Sequence, residues 1–543
     1  MKRTMNKLPF GLLYYVLIVI FGNTTAVVNC EQEITDVVAH HRSVAVAAIN
    51  SSDTDDHYQN NQSSREWKLH RLDLEKYPLA TCLDGSPGAY YIRPGAADAV
   101  MNDSNNNKVF LHIEGGGWCC DTCSETCSER SKTYLGSTVN DTSNTLGDFS
   151  YEKAYYNMNK TINPAVWDFT SVYVRYCDGA SLSGLREEPI NITSSSNNNE
   201  GSTITTTQIY SRGNYILQAI IDELFYSGSG SGSGSSSSSS DYNGKLSSVE
   251  QLIVSGDSAG SLAVSLHVHQ FVESINTNQT QMVVLLDSGF FRDYGNSEVE
   301  QGSYAEQMKS IYEMSHAKYS LPLACIHEYQ GNTDGDDAVV KCMFAANHIP
   351  YISVPIFIIQ SKYDAWQLYN ELGYNSIDNT SAAAIDDVNQ YGTALEDELM
   401  TAINSQRILQ PKSKISLSSC EFHTVLGGWN DSDEDLNKVW LKASINGTTV
   451  NLAFNEWLND VLRRPIDDNK NIDNDQLESV LVSDEVFPCE ECCDIILYEE
   501  SSSTSPPSQP SSSSSSSKND LSYYQANRFR AAVVVVVSVA AML

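Results

Sequence analysis

The chain has 543 residues, 41% of them hydrophobic, and sets 34 Lys and Arg against 68 Asp and Glu for a formal net charge of −34. A chain this acidic repels phosphate backbones, and no Lys/Arg run offers the counterion release that nucleic-acid binding uses, so nucleic acid is excluded as a partner class. The apolar content supports a sizeable core, and large α/β folds run long, so one large domain is expected once non-globular segments are set aside.

In chain order, Lys2, Arg3 and Lys7 precede an apolar run over 8–21 and the small residues Thr24-Thr25-Ala26. This reads as a secretory signal over 1–26, cleaved near Ala26, because a membrane anchor needs about 20 apolar residues. Residues 27–66 are polar and without periodicity, which predicts a disordered arm. The globular part is expected over 67–495, beginning near Trp67. Apolar, β-branched runs at 109–113, 171–176, 251–254, 282–286, 354–360 and 414–417 predict buried strands. Helical patterns at 209–226, 258–275 and 452–462 lie among them. That alternation predicts an α/β fold with a mostly parallel central sheet flanked by helices. Residues 194–207 and the Gly/Ser-rich 227–243 read as flexible surface insertions. After a Ser-rich linker over 496–530 comes a hydrophobic tail, 531–543, which spans no bilayer. The tail fits either a glycolipid-anchor signal, with attachment near Ser517 or Asn519, or a low-complexity end with a Val run.

With Cys30 set aside, twelve cysteines remain: Cys82, Cys119, Cys120, Cys123, Cys127, Cys177, Cys325, Cys342, Cys420, Cys489, Cys492 and Cys493. An even dozen in a secreted chain implies a disulfide-bonded domain. Two C-x-x-C pairs lack the Cys/His partners of a zinc site, so no metal and no cofactor is expected. Ten N-x-S/T sequons between Asn50 and Asn446 agree with an extracellular glycoprotein.

The strongest chemical signal is Val254-Ser255-Gly256-Asp257-Ser258-Ala259-Gly260, a buried strand running into G-x-S-x-G and then a helix. A nucleophilic serine at such a turn needs small neighbours, since the backbone is strained and the helix packs closely. The helix N-terminus then offers the Ala259 N–H to an oxyanion. A second donor is expected after an early strand, in Glu114-Gly115-Gly116-Gly117-Trp118, with Gly116 and Gly117 the candidates. Trp118 either walls an acyl pocket or packs the core. Acid and base should follow the serine in that order. Asp364 in Tyr363-Asp364-Ala365 and His423 in Glu421-Phe422-His423 each lie just past a strand, where open α/β sheets collect their chemistry. His316, His327 and His348 are rival bases. Asp257 is a rival acid, but beside the serine it points elsewhere.

Those stretches, with Cys82–Gly88 at 82–88, Tyr173-Val174-Arg175-Tyr176-Cys177-Asp178-Gly179-Ala180-Ser181 and Asp287-Ser288-Gly289-Phe290-Phe291, resemble the pectin acetylesterase/Notum family, and its plant pectin acetylesterase branch more closely. The resemblance spans roughly 67–493 in the expected order. It implies a secreted, metal-free α/β-hydrolase carboxylesterase with Ser258, Asp364 and His423 as triad, acting on O-acetyl groups of an extracellular or cell-wall polysaccharide. A Notum-like deacylase of lipid-modified protein and a catalytically silent, surface-anchored binding module are the alternatives. Plant members usually carry Cys where this chain has Asp257 and Thr424. The net charge of −34 also makes the chain a poor electrostatic partner for de-esterified pectin, itself a polyanion.

Overall fold

The apolar runs become strands because each can bury both of its faces. A computed structural model describes residues 65–96, 107–120, 123, 125–143, 153–198, 201–226, 246, 248–275, 279–292, 294, 303–330, 336–374, 381–426, 437–462 and 480–489. All of these fall in one compact unit, 1–495. The strands that matter here are β1 (Lys68–Arg71), β2 (Ala89–Arg93), β3 (Lys108–Ile113), β4 (Thr170–Val174), β5 (Ile190–Asn198), β6 (Gly201–Ile209), β7 (Gln251–Asp257), β8 (Gln281–Asp287), β9 (Ile356–Ser361), β10 (Lys414–Ser418) and β11 (Val480–Val482). The helices are α1 (Gly213–Phe225), α2 (Ser258–Ser274), α3 (Tyr304–Ser315), α4 (Ala365–Asn370), α5 (Ala382–Leu409) and α6 (Val450–Val461).

Among the described residues, nine strands form one sheet in the order β1-β2-β4-β3-β7-β8-β9-β10-β11. From β4 to β11 every neighbouring pair is parallel, while β1 and β2 add an antiparallel edge. The fold is therefore the expected α/β class. Along β3, Val109, Leu111 and Ile113 enter one core and Phe110 the other; Leu252 and Val254 oppose Ile253 in β7, and Ile356 and Ile358 oppose Phe357 and Ile359 in β9. Side chains α1, α2 and α5 close the first core, and α6 closes the second through Phe454, Trp457 and Leu458. This double cover is why the central strands are continuous apolar runs instead of alternating ones.

Residues 194–207, expected as flexible coil, instead lie almost wholly in a hairpin of β5 with β6. Its second strand is rich in β-branched Thr and Ile, which suit an extended chain. The hairpin also delays the following helix: α1 starts at Gly213, not 209, because Ile209 completes β6. Disulfides join Cys82–Cys177, Cys119–Cys127, Cys120–Cys123 and Cys325–Cys342. Cys420 and Cys489 are also disulfide-bonded. No helix among the described residues is long and apolar enough to cross a membrane. The leader, nearly all of the arm, the 227–243 insertion, the linker and the tail lie outside the described residues.

Candidate active site

β7 passes into α2 with no intervening loop, and Ser258 at the junction has φ +52°. Both flanking glycines are required by contact. A Cβ on Gly256 would lie 2.3 Å from the Gly260 carbonyl oxygen, and one on Gly260 would lie 2.3 Å from Ile113 O and 2.4 Å from Glu114 O. The helix thus presses against the end of β3, where the glycine loop begins.

Asp364 follows β9 and caps α4, its Oδ1 accepting the Gln367 N–H at 3.1 Å. Gln360 Nε2 donates to its Oδ2 at 3.2 Å, and the side chain is fully buried. His423 follows β10 and is brought beside both other residues. Its Nδ1 lies 2.9 and 3.0 Å from the two Asp364 oxygens, and its Nε2 lies 2.8 Å from Ser258 Oγ. With the proton on Nδ1 facing the carboxylate, Nε2 is the acceptor for the serine hydroxyl. Burial pulls the basicity of His423 down, but the Asp364 carboxylate, reinforced by Asp287 and Asp257, more than reverses this, so its pKa is raised.

Gly115, Gly116 and Gly117 are pinned from three sides. Gly115 N–H donates to Asp257 Oδ1 at 2.9 Å, Arg130 Nη2 donates to Gly116 O at 2.7 Å, and the Tyr176 hydroxyl donates to Gly117 O at 2.7 Å. Gly116 and Gly117 have φ +145° and +65°, which glycine adopts without a side-chain penalty. In a trans peptide the N–H points opposite the carbonyl, so the Arg130 bond aims the Gly117 N–H away from Arg130. Ala259 is the second residue of α2, where an N–H has no partner within the helix. Its carbonyl accepts the Ser181 hydroxyl at 2.8 Å. Glu114 braces the loop from behind, accepting the Tyr176 N–H at 2.9 Å and pairing with Arg175.

Trp118 is 6% exposed, and its Nε1 donates to Ser181 Oγ at 2.8 Å. Its ring packs against Phe291 at 4.9 Å and against Tyr304 and Trp366 at 5.6 Å between centroids. Phe291 and Trp366 each lie 6.2 Å from the His423 ring. Trp118 therefore packs a core cluster that extends to His423.

Asp257, His348 and His316 are engaged elsewhere, and His327 is exposed on the surface. Asp257 accepts from His112 Nε2 at 2.9 Å as well as from Gly115. Ser255, His112 and Asp257 form a second serine–histidine–aspartate chain, but Ser255 is fully buried. His348 bonds Ser265 Oγ at 2.8 Å and the Cys342 carbonyl at 3.0 Å, while His316 meets Arg186. Asp287, to which the residue pattern assigned no role, ends β8 and holds the turn after His423: its Oδ2 accepts the Val425 N–H at 2.9 Å. Ser288 Oγ accepts the Thr424 N–H at 3.0 Å. Burial, followed by the neighbouring Asp257 charge, pushes the Asp287 carboxyl up to about 7.

A family model described as pectinacetylesterase matches residues 60–494. The chain belongs to the pectinacetylesterase family. Among its relatives, pectin acetylesterase 11 of Arabidopsis thaliana is 28% identical over 56% of this chain and 64% of its own length. Pectin acetylesterase 7 of the same plant is 26% identical over 63% of this chain and 76% of its own. Palmitoleoyl-protein carboxylesterase NOTUM of Schmidtea mediterranea is 24% identical over 57% of this chain and 52% of its own. These relatives carry the names of carboxylic ester hydrolases. A solved structure of the Wnt deacylase Notum from Drosophila superposes with a TM-score of 0.53 at 19% identity, covering 73% of this chain and 94% of that one. That likeness establishes the Notum-like α/β-hydrolase fold for this pectinacetylesterase-family chain.

Proposed function

We propose that the protein is a secreted serine carboxylesterase that removes O-acetyl groups from an extracellular or cell-wall polysaccharide. The observation that carries this reading is the continuous hydrogen-bonded chain from Ser258 through His423 to buried Asp364. Ser258 Oγ attacks the ester carbonyl as His423 Nε2 takes its proton, and Asp364 steadies the imidazolium. The N–H groups of Gly116, Gly117 and Ala259 stabilise the oxyanion. On collapse the sugar hydroxyl leaves with the proton from His423. Water, activated by the same histidine, then releases acetate and frees Ser258.

A short acyl group is favoured by the packing next to His423. Trp118, Phe291 and Tyr304 are each nearly fully buried and in edge-to-face or tilted contact in the cluster that reaches His423, and close packing there supports a short acyl group. The leader over 1–26 and the disulfides support secretion, and the 531–543 tail supports attachment at the outer cell surface through a lipid anchor.

The test is hydrolysis of p-nitrophenyl acetate, butyrate, octanoate and palmitate, with Ser258→Ala alongside. The expected result is kcat/KM highest for acetate, falling along the series and abolished in the variant. A preference for octanoate would assign the chain to lipid deacylation instead, and no Ser258-dependent turnover would leave a binding module.

A further inference from the structure

The hydrogen-bond ladder between β3 and β7 ends with Ile113 opposite Gly256. One residue farther on, where backbone pairing stops, the side chain of Asp257 makes the next link between the two segments by accepting the Gly115 N–H. Gly115 is close enough that a Cβ there would lie 2.7 Å from Asp257 O and 2.8 Å from its Oδ2. His112 holds the carboxylate in place. Ser255 Oγ–H donates to His112 Nδ1 at 3.1 Å, leaving Nε2–H to donate to Asp257 Oδ1 at 2.9 Å.

Asp257 also leaves one ordinary bond unmade. It occupies the N-cap of α2, where an aspartate ordinarily accepts an N–H from the second or third helical residue, yet it makes no such side-chain cap. Those residues are Ala259 and Gly260. A conventional cap would compete directly for the Ala259 amide.

We propose that Asp257 is a positioning residue that ties the Gly115–Gly117 segment (115–117) to the nucleophile turn and, by committing its carboxylate to Gly115 and His112, leaves the Ala259 amide open for the oxyanion. Asp257 acts through Gly115 and touches no reacting atom. The proposal rests on the esterase reading above.

Three variants test it on p-nitrophenyl acetate, with an aryl trifluoromethyl ketone as an inhibitor whose adduct with Ser258 carries an oxyanion. In Asp257→Asn the amide oxygen still accepts from Gly115 and His112, so kcat/KM stays within about threefold of wild type. Asp257→Ala loses the link, and kcat/KM falls about 100-fold, with the inhibition constant weakening by a similar factor and KM little changed. Asp257→Ser is the sharper case. Serine is a good N-cap, so the unfolding temperature lies above that of the alanine variant while kcat/KM falls as far as in it. A merely structural role would move stability and activity together. Wild-type turnover that Asp257→Ala and Asp257→Ser both retain would overturn the proposal alone, as would an equal loss in Asp257→Asn. Absence of Ser258-dependent turnover in the wild type would instead overturn the esterase reading and the proposal with it.

Discussion

Asp287 links the proton inventory of the site to its geometry. Its carboxylate holds the Val425 amide, receives the Tyr155 hydroxyl at 3.2 Å, and is one of the charges that raise the His423 pKa. Its own pKa of about 7 lies well above the ordinary aspartate value of 3.8. Folding therefore favours the protonated acid, and the stability this group contributes is fully present below the unfolded pKa and is lost as pH rises through the folded one. Asp287→Asn keeps an acceptor for Val425 and removes the titration. The expected outcome is a variant whose unfolding temperature falls less than the wild type's between pH 5 and pH 8. The same substitution acts on the base. In the proposed mechanism only neutral His423 accepts the serine proton, so its raised pKa moves the acid limb of wild-type kcat/KM above that of an unperturbed histidine, and removing the Asp287 charge shifts that limb down. An unmoved limb together with an unchanged pH slope of stability would show that Asp287 stays neutral throughout. Ser258, Asp364 and His423 were legible in the sequence because each follows a strand's C-terminal end. Asp287 was not, because its partners Thr424 and Val425 lie far along the chain and no spacing rule connects them.

At the scale of elements, the junction of β3, β7 and α2 leaves no room for a side chain at Gly256 or Gly260. Gly260→Ala puts a methyl into two carbonyl oxygens of the chain leaving β3, and backbone cannot step aside as a flexible side chain can. Gly117→Ala meets nothing within 4 Å and bears only the conformational cost of φ +65°. We expect Gly260→Ala to lose about 3 kcal/mol or more of unfolding free energy. Gly117→Ala should lose about 1–2 kcal/mol. Urea denaturation of both distinguishes them, and equal losses would show that the α2 contact relaxes. The same contrast explains what the sequence disclosed. Central strands such as β7 and β9 were legible because burial on both faces leaves an uninterrupted apolar run. β1, with the sequence KLHR and partly exposed, carries no such run, and β2 is only five residues long. The β5–β6 hairpin was hidden by its polar Ser and Asn, which resemble loop composition although Thr and Ile favour extension. In α5, Val388, Tyr391, Leu395, Leu399 and Ile403 are buried at helical spacing, so a signal was present; it was diluted by the many exposed polar residues of a 28-residue helix.

Across the whole molecule the dominant quantity is charge. A net −34 sets up long-range repulsion toward any polymer of galacturonate, and the encounter of enzyme with chain is where that repulsion acts. In the proposed reaction the chemistry at Ser258 is shielded from it, since an acetyl ester is neutral and the charges around Ser258 are fixed at close range. Salt separates the two effects. The Debye length contracts from about 30 Å at 0.01 M to about 8 Å at 0.15 M, so repulsion between exposed charges is largely removed over that interval. On an acetylated polygalacturonate, kcat/KM should therefore rise several-fold between those concentrations through KM, while turnover of p-nitrophenyl acetate and of an acetylated neutral xylan stays nearly flat. A kcat/KM on polygalacturonate that falls with salt would mean that a local basic track overrides the net charge and guides the polyanion in. A rise on polygalacturonate alone, with the neutral xylan the better substrate at every salt concentration, would instead identify the acidic surface as a means of excluding de-esterified pectin and would move the natural substrate to an uncharged acetylated glycan.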